Sequence, residues 1–408
     1  MNPPSRIAWS TVLIAAVVML ATLPGRTQGL GLITEPLLAD LHLDRVTYAS
    51  LNLWATVLGA ACCIPAGLLL DRLGLRWSTT ILVGALAVVV WAMSTVTGSI
   101  AALFLLLLLT RALGQSALSV ASITAVGKGT LDRVGLAMGI YAITLSILFI
   151  AAFVVLGHLI TTSGWRTAWE WIAIALVCVV APLTALMLRD HRPSTVAAVT
   201  ATDGIELAAA LRTPAFWIFG GGTALYGMVS SGLGLFNEAV LAERGFNRET
   251  FHHFLAVTTF LALLGQFLCG WWSLRFGLPM LLAMALGLYA IGLAGLPLIS
   301  GPLGLWTVAA FLGISGGFIT VIFFAVWSRA FGRRHLGRIQ GAAQMLTVLA
   351  SAGGPLLFAQ CHAWSGSYAP VIWTLVPAVL LLAIAATRVR LLDPTSSPAP
   401  VGASAATA

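Results

Sequence analysis

The sequence predicts an all-α membrane protein: twelve transmembrane helices in two pseudo-symmetric six-helix bundles. Three observations predict it: a composition too poor in charge for a water-facing surface, twelve apolar runs of membrane-crossing length, and an internal repeat. Of 408 residues, 59% are hydrophobic and only 8% charged, with a mean hydropathy of +0.99. A soluble domain carries about 25% charged residues, so the natural solvent here is lipid. The net charge of +8 does not imply nucleic-acid binding, because the basic residues sit in short loops rather than in a patch with interleaved aromatics. The five cysteines (Cys62, Cys63, Cys178, Cys269, Cys361) lie mostly in apolar segments without metal-ligand spacing, and read as small buried hydrophobes.

Runs able to cross a hydrocarbon core about 30 Å thick fall at 8–38, 47–70, 77–97, 100–127, 135–160, 168–188, 214–242, 249–274, 279–299, 302–328, 337–363 and 368–388. The first could be mistaken for a cleaved signal peptide, but it has a counterpart in mid-chain. The expected organisation is a first bundle over 1–188, a cytoplasmic linker over 189–213, a second bundle over 214–390, and a disordered cytoplasmic tail over 391–408. The linker has room for a short amphipathic helix near Ile205–Leu211. With twelve spans both termini face one side. That side holds fifteen of the twenty-one basic residues, the opposite loops hold four, and Arg26 and Arg111 lie within spans. The positive-inside rule then places both termini in the cytoplasm of a cell whose cytoplasmic (inner) membrane the chain crosses.

Residues 29–48 (GLGLITEPLLADLHLDRVTY) align without a gap on 232–251 (GLGLFNEAVLAERGFNRETF), an offset of 203 with nine of twenty positions identical. The identities include Gly29/Gly232, Glu35/Glu238 and Arg45/Arg248. The same offset pairs Gly67 with Gly270 and Gly74 with Gly277. Repeats of the same topology are a transporter architecture, with the substrate held between halves near the midplane.

The loop after the second run reads Gly67-Leu68-Leu69-Leu70-Asp71-Arg72-Leu73-Gly74-Leu75-Arg76. It resembles the loop motif of the major facilitator superfamily. The resemblance covers nearly the whole chain and implies an alternating-access carrier whose conformational latch is Gly67, Asp71, Arg72, Gly74 and Arg76. Asp71 would dock on the positive N-terminal end of the eleventh span near Gly337. In the second half Leu274 replaces the acid of the motif. Leu211–Trp217, Phe331–Gly341 and Arg111–Ser116 are similar to segments of bacterial monocarboxylate and oxalate/formate carriers. Such carriers typically place a cation in the eighth or eleventh span. Here only His252 and His253 stand within 249–274, and only His362 within 340–363.

Polar residues at helical spacing mark which spans face a wet cavity: Tyr48, Asn52 and Thr56; Arg111, Gln115, Ser119 and Ser122; Thr223, Tyr226 and Ser230; His252, Thr259 and Gln266; Gln340, Gln344, Thr347 and Ser351. The third, sixth, ninth and twelfth spans are nearly featureless and read as outer supports. An arginine at membrane depth costs about 2.5–3.5 kcal/mol and must be partnered or wet. No acid stands at the depth of Arg26 and Arg111, so an anionic substrate would supply the missing charge. Arg26, on a small-residue stripe with Thr22, Gly25 and Gly29, is the preferred contact; its alternatives are snorkelling or pairing with Glu35. Arg111 resembles a family position often assigned to packing or coupling.

The expected substrate-binding set is Arg26, Asn52, Arg111, Gln115, Tyr226, Gln266 and Gln344. Glu35, Glu238 and His252 are candidates for proton coupling, and His158 reads as a packed histidine near the end of the fifth span. The expected function is secondary transport of a small organic anion by a monomer, as proton symport or anion exchange. Efflux of amphipathic compounds through a cavity with Trp54 and Phe260 is an alternative, and a transporter-like sensor is a further one. No cofactor, metal or catalytic residue is expected; the chain has no HExxH and no Walker-type phosphate loop.

Overall fold

A bilayer core offers no water to unpaired backbone groups, so spanning segments close their hydrogen bonds internally. The computed structural model describes residues 9–43, 45–129, 134–188, 204–389 and 391. The linker stretch 189–203 and the tail beyond 391 lie outside the described residues, as do the side chains of Glu35, Glu238 and His252. The described residues form the twelve-helix, two-bundle fold.

In the first half the spans run Trp9–Leu20 with Thr27–Leu41, Arg45–Ala60 with Cys63–Leu73, Leu75–Ser94, Ile100–Gly129, Val134–Ser163 and Trp165–Met187. In the second half they are Pro214–Ala242, Arg248–Trp272, Leu278–Gly295, Gly301–Phe331, Leu336–Ser365 and Ala369–Arg388. Helix starts follow local chemistry. Thr213 accepts a hydrogen bond from the Phe216 N–H at 3.3 Å, with Pro214 as the first helical residue, and Asn247 accepts from Thr250 N–H at 2.8 Å.

Among the described residues, ten helices are long and apolar enough to cross a membrane. The first span falls short because it is not one helix, contrary to the single run expected over 8–38. At Leu23–Gly25 it tightens into one 3-10 turn, and Arg26 follows in extended conformation (φ −93°, ψ 153°). Pro24 cannot donate to the helix ladder and Gly25 gives it little support, so the break has a local cause. The fourth span carries a second irregularity, a π-helical stretch over Arg111–Leu118. The linker supplies a short helix, Leu207–Leu211, and its Gly204 bridges to Gly332 in the loop before the eleventh span.

The third, sixth and ninth spans are less featureless than expected. Thr80 and Thr184 hydroxyls meet at 3.0 Å between the third and sixth, and Tyr289 of the ninth lies 3.4 Å from Ser230. Within the second half the seventh span packs along the eleventh and the eighth along the tenth; the first half pairs the first span with the fourth and fifth. Across the halves, the second span meets the eleventh and the fifth meets the eighth.

Candidate functional site

Two seams of glycine close the halves together on the face that carries the chain termini. A Cβ on Gly67 would overlap the carbonyl oxygen of Gly337, one on Gly341 would overlap that of Cys63, and Gly139 and Gly270 meet backbone to backbone. Above the first seam Asp71, its side chain only 3% exposed, accepts from the N–H groups of Gly337 (3.2 Å) and Arg338 (3.1 Å). Lys128 pairs with the same carboxylate at 3.0 Å and Arg338 Nε approaches it at 3.6 Å. A carboxylate on the first N–H groups of a helix meets both the unsatisfied donors and the positive end of the dipole. Gly74 turns the chain at φ 85°, which favours glycine. Arg72 is exposed, and Arg76 stacks over Trp77 at 5.2 Å. His335, just before the eleventh span, is held below the usual histidine range by burial, then by Arg338, against the pull of Asp71.

Deeper in the bilayer, the break in the first span lies against the π-helical stretch of the fourth. Gly25 and Gly114 touch through their backbones, and a Cβ on Gly25 would overlap the Thr110 carbonyl oxygen. Arg111 ties the two irregularities together. Its Nη1 donates to Gly25 O (3.2 Å), Thr27 Oγ1 (3.0 Å) and Gln115 Oε1 (2.8 Å), and its Nη2 donates to Asn52 Oδ1 (3.1 Å). Arg111 is 3% exposed.

Arg26 leaves the same break in the other direction. Its Nε donates to Thr22 Oγ1 (2.6 Å), its Nη2 to Met19 Sδ (2.8 Å) and Ser119 Oγ (3.0 Å), and its guanidinium sits 5.6 Å over the Phe149 ring. It stays partly exposed, beside exposed Thr27 and Gln28. Among the described residues neither arginine pairs with a carboxylate. Snorkelling does not describe Arg26, which is held by three neighbours.

Of the seven expected binding residues, the structure brings four into one cluster: Arg26, Asn52, Arg111 and Gln115. The other three are dispersed in the second half. Tyr226 packs edge-on to Tyr289 of the ninth span at 5.0 Å and against Gly316 of the tenth. Gln266 is 7% exposed beside Gly139 and Gly317, at the seam between halves, and Gln344 is 9% exposed. His158, expected to be packed, is exposed. Trp54 and Phe260 stand on exposed apolar stripes (Trp54 and Leu58; Phe260, Leu264, Phe267 and Trp271).

Sequence reasoning missed Met19 and Thr27. Met19 and Thr22, seven and four residues before Arg26, share its helical face, so spacing could have found them. The Arg111 bonds to Gly25 and Thr27 depend on the break and had no such signal. The cysteines are free, and among the described residues no group of three or more His, Cys, Asp or Glu could hold a metal.

The sequence profile of the Major Facilitator Superfamily matches residues 14–239 and 219–408. No curated protein sequence matches the chain. Among solved structures, the fucose:proton symporter FucP of E. coli is similar at TM-score 0.68 and 16% identity, over 93% of this chain and 98% of that one. FucP in the outward conformation gives 0.66 at 17% identity, with 93% and 98% covered. The human organic anion transporter MFSD10 (TETRAN) gives 0.65 at 17% identity, with 94% and 100% covered.

Proposed function

The chain belongs to the major facilitator superfamily, and on that premise we propose that it is a secondary carrier for a small organic anion, a mono- or dicarboxylate. Transport proceeds by alternating access across the cytoplasmic membrane, as proton symport or as exchange of one anion for another. The observation that carries the reading is Arg26: a partly exposed cation at a helix break, with three neutral acceptors and no carboxylate among the described residues. A guanidinium at that depth favours an anionic ligand, because an unpaired charge in a low-dielectric site is expensive. The fold admits both a sugar symporter and an organic anion transporter, so the choice rests on the arginine.

The arginine-rich face that carries the termini is the cytoplasmic one. Asp71, accepting from the Gly337 and Arg338 N–H groups across the halves, acts as a latch that favours closure of that face. Glu35, Glu238 and His252 remain the candidates for proton coupling. The efflux alternative drew on Trp54 and Phe260, and their exposed stripes suit lipid contact better than a cavity.

Counterflow in proteoliposomes with labelled mono- and dicarboxylates tests the reading. Uptake of at least one acid is expected, falling about ten- to a hundredfold in Arg26→Gln, since a hydrogen bond to a charged group contributes about 1.5–3 kcal/mol. If folded protein exchanges none of these acids, or if the variant transports as well as the parent, the organic-anion reading is wrong.

A further inference from the structure

An arginine grips a carboxylate bidentately through one of two edges, Nε with Nη2 or Nη1 with Nη2. In Arg26 both edges are already used. Thr22 Oγ1 accepts from Nε, while Met19 Sδ and Ser119 Oγ occupy Nη2. The Thr22 hydroxyl gives its own proton to the Met19 carbonyl at 2.6 Å, which turns its lone pairs toward the guanidinium. Ser119 is fully buried, so this bond does not exchange freely with water. Only Nη1 makes no hydrogen bond among the described residues. The second arginine offers a ligand little: Arg111 is 3% exposed, its terminal nitrogens serve Gly25, Thr27, Gln115 and Asn52, and its unpartnered Nε is buried. The second half offers no replacement, because the repeat puts Val229 and Ile314 at the matching positions.

We propose that Arg26 receives a single anionic oxygen through Nη1, that the site therefore selects monoanions over dianions, and that Thr22 and Ser119 are the positioning residues that set this selectivity. The inference rests on the organic-anion reading and narrows it. A monoanion places its one charge on Nη1. A dianion would carry a second carboxylate to membrane depth with no cation to meet it, which costs more than one hydrogen bond returns.

The test is counterflow of succinate against its monomethyl ester, which keeps the carbon chain and removes one charge. At alkaline pH the ester is expected to exchange about a hundredfold faster, the factor that an unpaired charge at membrane depth sets. Acidification that protonates one succinate carboxylate should narrow the gap. Thr22→Val should raise KM for the ester about tenfold at unchanged maximal rate and weaken the discrimination. Thr22→Ser should restore both. Equal exchange of succinate and ester overturns this inference and leaves the organic-anion reading standing. Exchange of neither overturns this inference, and removes the organic-anion reading as well where the folded protein exchanges none of the other labelled acids. Unchanged KM and unchanged discrimination in Thr22→Val would overturn the positioning role.

Discussion

Aligned at 203 residues, the first half places arginines where the second places aliphatic side chains: Arg26 falls on Val229 and Arg111 on Ile314. Asn52 falls on Leu255 and Gln115 on Phe318. Around these positions the scaffold is shared. Gly67 and Gly270 both make backbone contact with the opposite half, and Asp40 and Glu243 both reach the residues that start the last span of their bundle. Shared sequence thus marks where helices must touch, and divergent sequence marks where the chemistry differs. At these matched positions the first half carries arginine and amide side chains where the second carries apolar ones.

The largest break in the comparison should come from giving both halves one side chain. Arg111→Met removes the donor for four acceptors and frees the first-span break from the fourth span. Each buried acceptor left unpaired costs about 1–3 kcal/mol, so thermal unfolding in detergent should fall by many degrees and uptake should vanish. Ile314→Met exchanges one apolar side chain for another of similar volume and should cost less than about 1.5 kcal/mol. Equal losses at the two sites would mean that the network around Arg111 does not hold the break.

This asymmetry also explains what could be read without coordinates. The twelve spans follow from apolar run length, a property of each segment alone, and so does the superfamily loop around Asp71. The cluster of Arg26, Asn52, Arg111 and Gln115 was nameable because charge is rare in these spans. Its wiring was not nameable. Arg111 reaches Gly25 and Thr27 only because the first span unwinds at Pro24 and the fourth widens into a π-helix. Tyr226, Gln266 and Gln344 stood on the expected stripes, yet helical phase alone could not tell a cavity-facing side from one turned to the ninth span or to the inter-half seam.

A middle-sized effect should separate the two seams. A Cβ on Gly67 would overlap the Gly337 carbonyl, and backbone there cannot yield, whereas a Cβ on Gly270 would stand 3.1 Å from the Gly139 Cα. Gly67→Ala should therefore push the second and eleventh spans apart and pull Asp71 off the Gly337 and Arg338 N–H groups. The expected sign is increased labelling of a cysteine introduced at Ser328 from the termini face, with transport lowered about tenfold. That factor corresponds to about 1.4 kcal/mol of shifted population. Gly270→Ala should change labelling less. The reverse order would show that the two seams do not carry the closed state in the way their spacing implies.

The smallest effect concerns the paired acids at the opposite face, and it distinguishes the halves by mechanism rather than by size. Asp40 Oδ2 accepts from the Trp165 indole at 3.2 Å and from Arg166 Nε at 2.9 Å, and Arg166 continues to the Ser94 and Val96 carbonyls. Glu243 instead accepts from the Tyr368 backbone N–H at 3.1 Å and the Ser367 hydroxyl at 2.8 Å. The first brace is an ion pair between partly exposed groups, worth about 0–1 kcal/mol and weakened by salt. The second uses two neutral donors at a helix start, with His362 Nε2 at 3.8 Å from Oε1, so in alkaline buffer, where an imidazole carries no charge, salt has less to screen. Asp40→Asn should thus lower Tm slightly in dilute buffer and lose that effect at high ionic strength. Glu243→Gln should lower it by an amount that salt changes little. If both variants respond to salt alike, the two braces are equivalent despite their different partners, because the carboxylate charge rather than the donor governs each.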